Sequence, residues 1–150
     1  MKLKDLIGAG DRIVGFSLPF VAAAVLAARL WPGIFIAHAG LPGLVVGIAL
    51  LAVGIPLWLV AVAQIIANVP QGRLITGGSF AIMLHPIYTA VALLVLPGLG
   101  LVFDSWLGVA LGLVVYGWNR VFSVREELLL AELFRDEYAA YRKKVLLPWL

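Results

Sequence analysis

Apolar positions in this chain run in long unbroken stretches rather than in alternation. Residues 13–30 carry one charge, Arg29, and residues 41–67 carry none. Residues 86–103 are also uncharged, and 105–120 hold a single charge, Arg120, at their end. A helix needs about 20 consecutive apolar residues to cross the hydrocarbon layer of a bilayer. The pattern predicts an all-α polytopic membrane protein with about four transmembrane helices at these positions. The breaks between them agree. Trp31-Pro32-Gly33 ends the first stretch, Leu41-Pro42 opens the second with proline at an early helical position, and Pro97-Gly98-Leu99-Gly100 interrupts the third. Asp104 or Ser105 is placed to cap the fourth. Gly43, Gly47 and Gly54 lie on a face that lets a neighbouring helix approach closely.

Beyond residue 120 the pattern changes. Leu130, Leu133, Phe134, Tyr138 and Tyr141 recur at three- and four-residue spacing, with charges on the remaining faces. This predicts a C-terminal amphipathic cytosolic helix over 123–144, lying on the membrane surface or folded back over the bundle.

Composition supports one membrane unit, residues 1–150. Charged residues make up 13% of the chain, against about 25% in soluble domains. With no cysteine, disulfides, thiolate catalysis and Cys-based metal sites are excluded. The two histidines, His38 and His85, are far apart and outside any metal-ligand spacing, so no metal is expected. A net charge of +3 concentrated near the chain ends is no nucleic-acid stripe, so no nucleic-acid partner is expected. The basic start is broken by Asp5, Gly8 and Gly10 and runs on into a full span, which predicts an uncleaved first helix rather than a signal peptide. Lys2, Lys4 and Arg12 precede the first span, Arg73 separates the second from the third, and six basic residues from Arg120 to Lys144 follow the fourth. Neither the connection around His38 nor the one around Asp104 has a lysine or arginine. Both termini are therefore expected in the cytoplasm, in an integral multi-pass protein of the inner, cytoplasmic membrane.

That orientation puts two polar islands on the cytoplasmic side. One is Leu84-His85-Pro86-Ile87-Tyr88. The other runs from Arg120 through Arg125-Glu126-Glu127 to Glu137-Tyr138 and Tyr141. Ionisable residues at the edge of a membrane chain are functional candidates. Each also has a plainer reading. His85-Pro86 can be a helix start, Glu126-Glu127 a solvated face paired with Arg120 or Arg125, and Tyr138 and Tyr141 interfacial anchors.

Taken in order, Gly72-Arg73-Leu74-Ile75-Thr76-Gly77-Gly78-Ser79-Phe80, His85-Pro86-Ile87-Tyr88, Glu126-Glu127 and Phe134 with Glu137-Tyr138 resemble the isoprenylcysteine carboxyl methyltransferase family. That family is related to the phospholipid methyltransferases. The resemblance covers roughly the second half of the chain. It implies S-adenosylmethionine as cofactor, a pocket facing the cytosol, and a lipophilic small-molecule or lipid acceptor arriving from the bilayer. His85, Pro86 and Tyr88 match the family's His-Pro-x-Tyr element, and Glu126 and Glu127 its paired glutamates. Arg120 lies near the arginine that the family places before those glutamates. Three positions depart from the pattern, as does the short tail after Val145, which lacks the usual arginine before the final proline. Leu84 stands where arginine is common, Phe80 where tyrosine is, and Arg135 where the family's Phe-Gly-x-Glu-Tyr has glycine.

The cofactor's ammonium needs an anionic acceptor, which Glu126 or Glu127 can supply. Its carboxylate needs donors: the His85 imidazole and backbone N–H groups around Thr76 and Gly77 qualify. Tyr88, Phe80 or Tyr138 can line a slot for the base. A carboxylate acceptor, such as a prenylcysteine-type group, needs only orientation, by Arg120 or Arg125. A lipid amine needs a base, for which Glu127 or its neighbour serves. Arg120 and Glu127 are thus the catalytic candidates, and Arg120 and Arg125 the substrate-binding ones. Two other classes compete: a non-catalytic membrane subunit or small transporter, and a sterol-reductase-like NADPH enzyme.

Overall fold

A computed structural model describes residues 3–150, with side chains from Arg12 onward apart from Pro32. It is all-helical among the described residues: α1 (Leu3–Leu30), α2 (Gly40–Asn68), α3 (Ser79–Ile82), α4 (Pro86–Val102) and α5 (Leu107–Lys144). Three stretches are long and apolar enough to cross a membrane: Arg12–Leu30 of α1, Gly40–Gln71 and Leu107–Lys144. The fourth, α4, is apolar but shorter, spanning about 25 Å against a hydrocarbon layer of about 30 Å. The protein is a polytopic membrane helix bundle.

Glycine faces set the packing order, which runs α1–α5–α4–α2. On α2 the buried residues are Gly43, Gly47, Gly54 and Ala61, one stripe of the helix. A Cβ at Gly47 would stand 2.8 Å from the Gly98 carbonyl, so α4 sits backbone-close against α2 there. Gly108 and Gly112 give α5 the same approach to Gly100 and to the Ala92 carbonyl on α4. On the other side of α5, Phe16 of α1 packs against Trp118 and Phe122, with ring centroids 5.1 and 5.3 Å apart. Within α4 the turn Val91–Val95 is a π turn. Pro97 has no N–H to give Leu93, and the widened turn absorbs that loss.

Both uncharged connections meet at one end of the bundle. Ala37 N–H donates to the Asp104 carbonyl at 2.8 Å, and Trp106 N–H to the Phe35 carbonyl at 2.9 Å. Of the two capping candidates, Ser105 Oγ accepts from Leu107 N–H at 3.2 Å. Asp104 turns instead to the other connection, where its carboxylate accepts from Ala39 N–H at 2.9 Å at the start of α2. Both polar islands lie at the opposite end.

The C-terminal helix is not a separate element beginning near residue 123. It continues α5, which has 38 residues and would be about 57 Å long if straight. No glycine or proline interrupts residues 118–134. The two polar residues buried there satisfy each other, Ser123 Oγ–H donating to Asn119 Oδ1 at 2.6 Å. They therefore do not compete for backbone groups. The break falls instead at Arg135, with φ 41° and ψ −114°. Arg142 Nη2 lies 3.1 Å from Glu127 Oε2. Fifteen residues apart on a straight helix, these groups would be separated by about 22 Å along the axis. The last segment is thus folded back onto the preceding turns. Arg120 is the first charged residue of α5, and from Arg125 onward charged residues recur along the helix.

Candidate functional site

A cavity of about 250 Å³ opens between the polar end of α2, the segment 73–75, the start of α4 and the folded-back part of α5. Glu126, Leu130 and Phe134 line it from one face of α5 at four-residue spacing, and beyond the break Tyr138 and Tyr141 close it. The two tyrosines, Leu84 and Val145 form a buried apolar cluster, with Leu74, Phe80, Leu130 and Phe134 packed on it. Leu84 is 6% exposed. Where the related family commonly has arginine, this chain has a core residue.

Three polar contacts hold the wall in place. The Gln64 amide donates to the Gly77 carbonyl at 2.8 Å, and its Oε1 accepts from Ser79 Oγ at 2.7 Å. Tyr141 O–H donates to the Phe80 carbonyl at 2.7 Å. The chain's last residues run back beside the His85 segment. Leu147 N–H reaches the Ile82 carbonyl at 2.8 Å, and Leu84 and His85 N–H reach the Leu150 carbonyl at 2.8 and 3.2 Å. Nothing in the hydrophobic pattern announced this return, because its hydrogen bonds are between backbone groups.

Pro86 is the first residue of α4, as its missing N–H favours, and His85 precedes it without a side-chain capping bond. The imidazole is left to reach α5. Its Nε2 is 3.3 Å from Glu127 Oε1 and its Nδ1 is 4.0 Å from Glu126 Oε2. The two glutamates have different surroundings. Glu126 faces the cavity, and its buried Oε2 has no hydrogen-bond partner. Burial pushes its pKa above the ordinary carboxylate value. Glu127 lies beside the cavity; its hydrogen bond with His85, reinforced by the charge of Arg142, holds its pKa below that value. Burial also pushes the Tyr138 hydroxyl up to about 12 and raises that of Tyr141.

Of the residues singled out from the sequence, the structure brings His85, Pro86, Tyr88 and Glu126 to the cavity wall, with Glu127 one contact behind His85. Thr76 and Gly77 are exposed and do not line it, although Arg73, Leu74 and Ile75 just before them do. Arg125 is exposed away from it. Arg120 lies outside too, its guanidinium donating to the Trp149 carbonyl at 2.9 Å. Arg73 and Arg142 were not singled out; only the folding of distant segments brings one to the cavity and the other to Glu127.

The family model of the phospholipid methyltransferases matches residues 42–137, from the start of α2 to just past the break in α5. That is well over half of the chain, and the protein belongs to this family of membrane methyltransferases. The match spans every segment that lines the cavity except the last turns, which carry Tyr138 and Tyr141. No curated protein and no solved structure matches the chain.

Proposed function

We propose that this protein transfers a methyl group from S-adenosylmethionine to a lipid-type acceptor at the cytosolic face of the inner membrane. The observation that carries the reading is the Glu126 carboxylate at the wall of an apolar, aromatic cavity: its Oε2 is buried without a hydrogen bond and, among the described residues, meets only the His85 ring, at 4.0 Å. A carboxylate oxygen buried without a hydrogen bond is costly and calls for a cation.

The residues present fit the cofactor. Glu126 accepts its ammonium, Arg73 faces its carboxylate, and Phe80, Tyr88 and Phe134 offer flat faces to the base. When bound, S-adenosylmethionine supplies a methyl group activated on a sulfonium. The chain's own task is to hold the acceptor in line and keep water out, which an aromatic wall closed by Tyr138 and Tyr141 serves.

A lipid amine suits this site better than a carboxylate. Arg73 is the one arginine or lysine among the described residues that line the cavity, and it is engaged by the cofactor in this scheme. An amine must lose a proton. His85 stands between the cavity and Glu127, whose ion pair with the half-exposed Arg142 leads to the surface. In this scheme His85 takes the amine's proton, Glu127 positions the ring and stabilises its charged form, and Arg120 secures the C-terminal segment that holds the His85 backbone.

Calorimetric titration of the detergent-purified protein with S-adenosylhomocysteine tests the cofactor. Saturable binding is expected, weakened at least tenfold in Glu126→Gln. Absence of binding in a folded wild-type protein would overturn the proposal. Transfer of label from methyl-labelled S-adenosylmethionine into amine-bearing lipids then tests the acceptor.

A further inference from the structure

A second, open hollow of about 680 Å³ lies on the other side of Tyr138, between the folded-back part of α5 and the segment 148–149. Its lining includes Arg120, Arg135, Arg142 and Lys143, and none of its lining residues is acidic. Arg120 is spent on the Trp149 carbonyl and Arg142 on Glu127. Arg135 and Lys143 have no ion pair among the described residues and face the hollow exposed. With Arg142 met by Glu127, the other three cations around the concavity still repel each other unless an anion sits among them.

The hollow's surroundings say which kind of anion. Arg120 is the first charged residue after the apolar start of α5, so the hollow lies at the polar end of the bundle, where lipid headgroups meet the chain. Trp149, on its rim, is 58% exposed, and Leu146 nearby is 71% exposed. Exposed tryptophan beside basic side chains suits the membrane interface, where the ring meets the acyl boundary and the cations meet phosphates. We propose that this hollow binds the phosphate headgroup of an anionic phospholipid of the surrounding leaflet. The lipid holds the folded-back segment, and with it Tyr138, against the bundle. The site is separate from the methyl-transfer cavity, and its existence does not depend on the identity of the methyl donor.

The test uses short-chain phosphatidylglycerol, added to the detergent-purified protein while the thermal unfolding midpoint is followed. Short-chain phosphatidylcholine and inorganic phosphate form the comparison arms. Wild type is expected to show a saturable rise in Tm with phosphatidylglycerol alone. Arg135→Gly with Lys143→Gln, compared with its own lipid-free baseline, should weaken the apparent affinity at least fivefold. Lys143→Gln alone, which leaves the break in α5 untouched, should weaken it at least twofold. Lys144→Gln, outside the hollow, should leave it unchanged. An equal response to phosphatidylcholine, or an unchanged response in the double variant, would overturn the site. Saturation by inorganic phosphate at the same concentration would make it a free-anion site and overturn the lipid assignment. An equal loss in Lys144→Gln would replace the hollow by diffuse surface charge.

Discussion

Arg135→Gly should make the protein more stable, although it removes a charged side chain and places glycine inside a helix. The backbone at Arg135 has φ 41° and ψ −114°, a conformation that a residue with a Cβ adopts only under strain. Strain of this kind costs about 1–3 kcal/mol. Glycine relieves it but loses more chain entropy on folding, about 0.5–1 kcal/mol. The difference leaves a net gain of up to about 2.5 kcal/mol. The side chain itself contributes little against this, since it is exposed and has no ion pair among the described residues. Arg135→Ala separates the two effects: it removes the same charge and keeps the Cβ, so it should not gain. Thermal unfolding in one detergent, read for wild type and both variants, decides. Arg135→Gly no more stable than Arg135→Ala would refute the strain argument.

Four further outcomes are expected. The affinity for S-adenosylhomocysteine, measured by calorimetry, should rise with pH through the raised pKa of Glu126 and then level off, because the ligand's ammonium pairs with the charged carboxylate and must displace a proton below that pKa. Glu127 acts in the opposite sense: its lowered pKa stabilises the fold above the ordinary carboxylate range, and that contribution is lost as pH falls through its folded pKa. Glu127→Gln should therefore flatten the acid limb of a Tm-versus-pH curve. Tyr141→Phe removes the hydrogen bond to the Phe80 carbonyl and should cost about 1–2 kcal/mol in thermal unfolding; no loss would mean that this bond does not secure the cavity wall. Gly78→Ala should lower Tm and loosen the 77–79 segment to proteolysis. Its φ of 61° disfavours any side chain, and a Cβ there would meet the Gln64 amide within 2.8 Å.

Much of the fold was legible in the chain because crossing a membrane is a local demand. An apolar run of sufficient length must become a helix, since its backbone groups have no other partners in lipid. The spans could therefore be placed from residues 13–30, 41–67 and 105–120 without any knowledge of their neighbours. The shorter stretch 86–103 could be placed the same way, and the structure puts α4 at Pro86–Val102. Local chemistry likewise marked His85-Pro86 and Glu126-Glu127 as out of place in so apolar a chain.

What the tertiary structure decided was which of these polar residues meet. The periodicity of 123–144 is the same whether the helix runs straight or turns back, so the break at Arg135 left no trace in it. The glycine of the related family was the one signal of a turn. That single backbone conformation brings Arg142 to Glu127 and places Tyr138 and Tyr141 over the cavity. It leaves Arg120 outside, bonded to Trp149. It also makes adjacent glutamates unlike, since consecutive residues on a helix point about 100° apart. Glu126 turns into the cavity and Glu127 toward His85 and Arg142. Hydrophobic pattern fixes where a helix lies, but long-range contact decides which of its faces becomes a site.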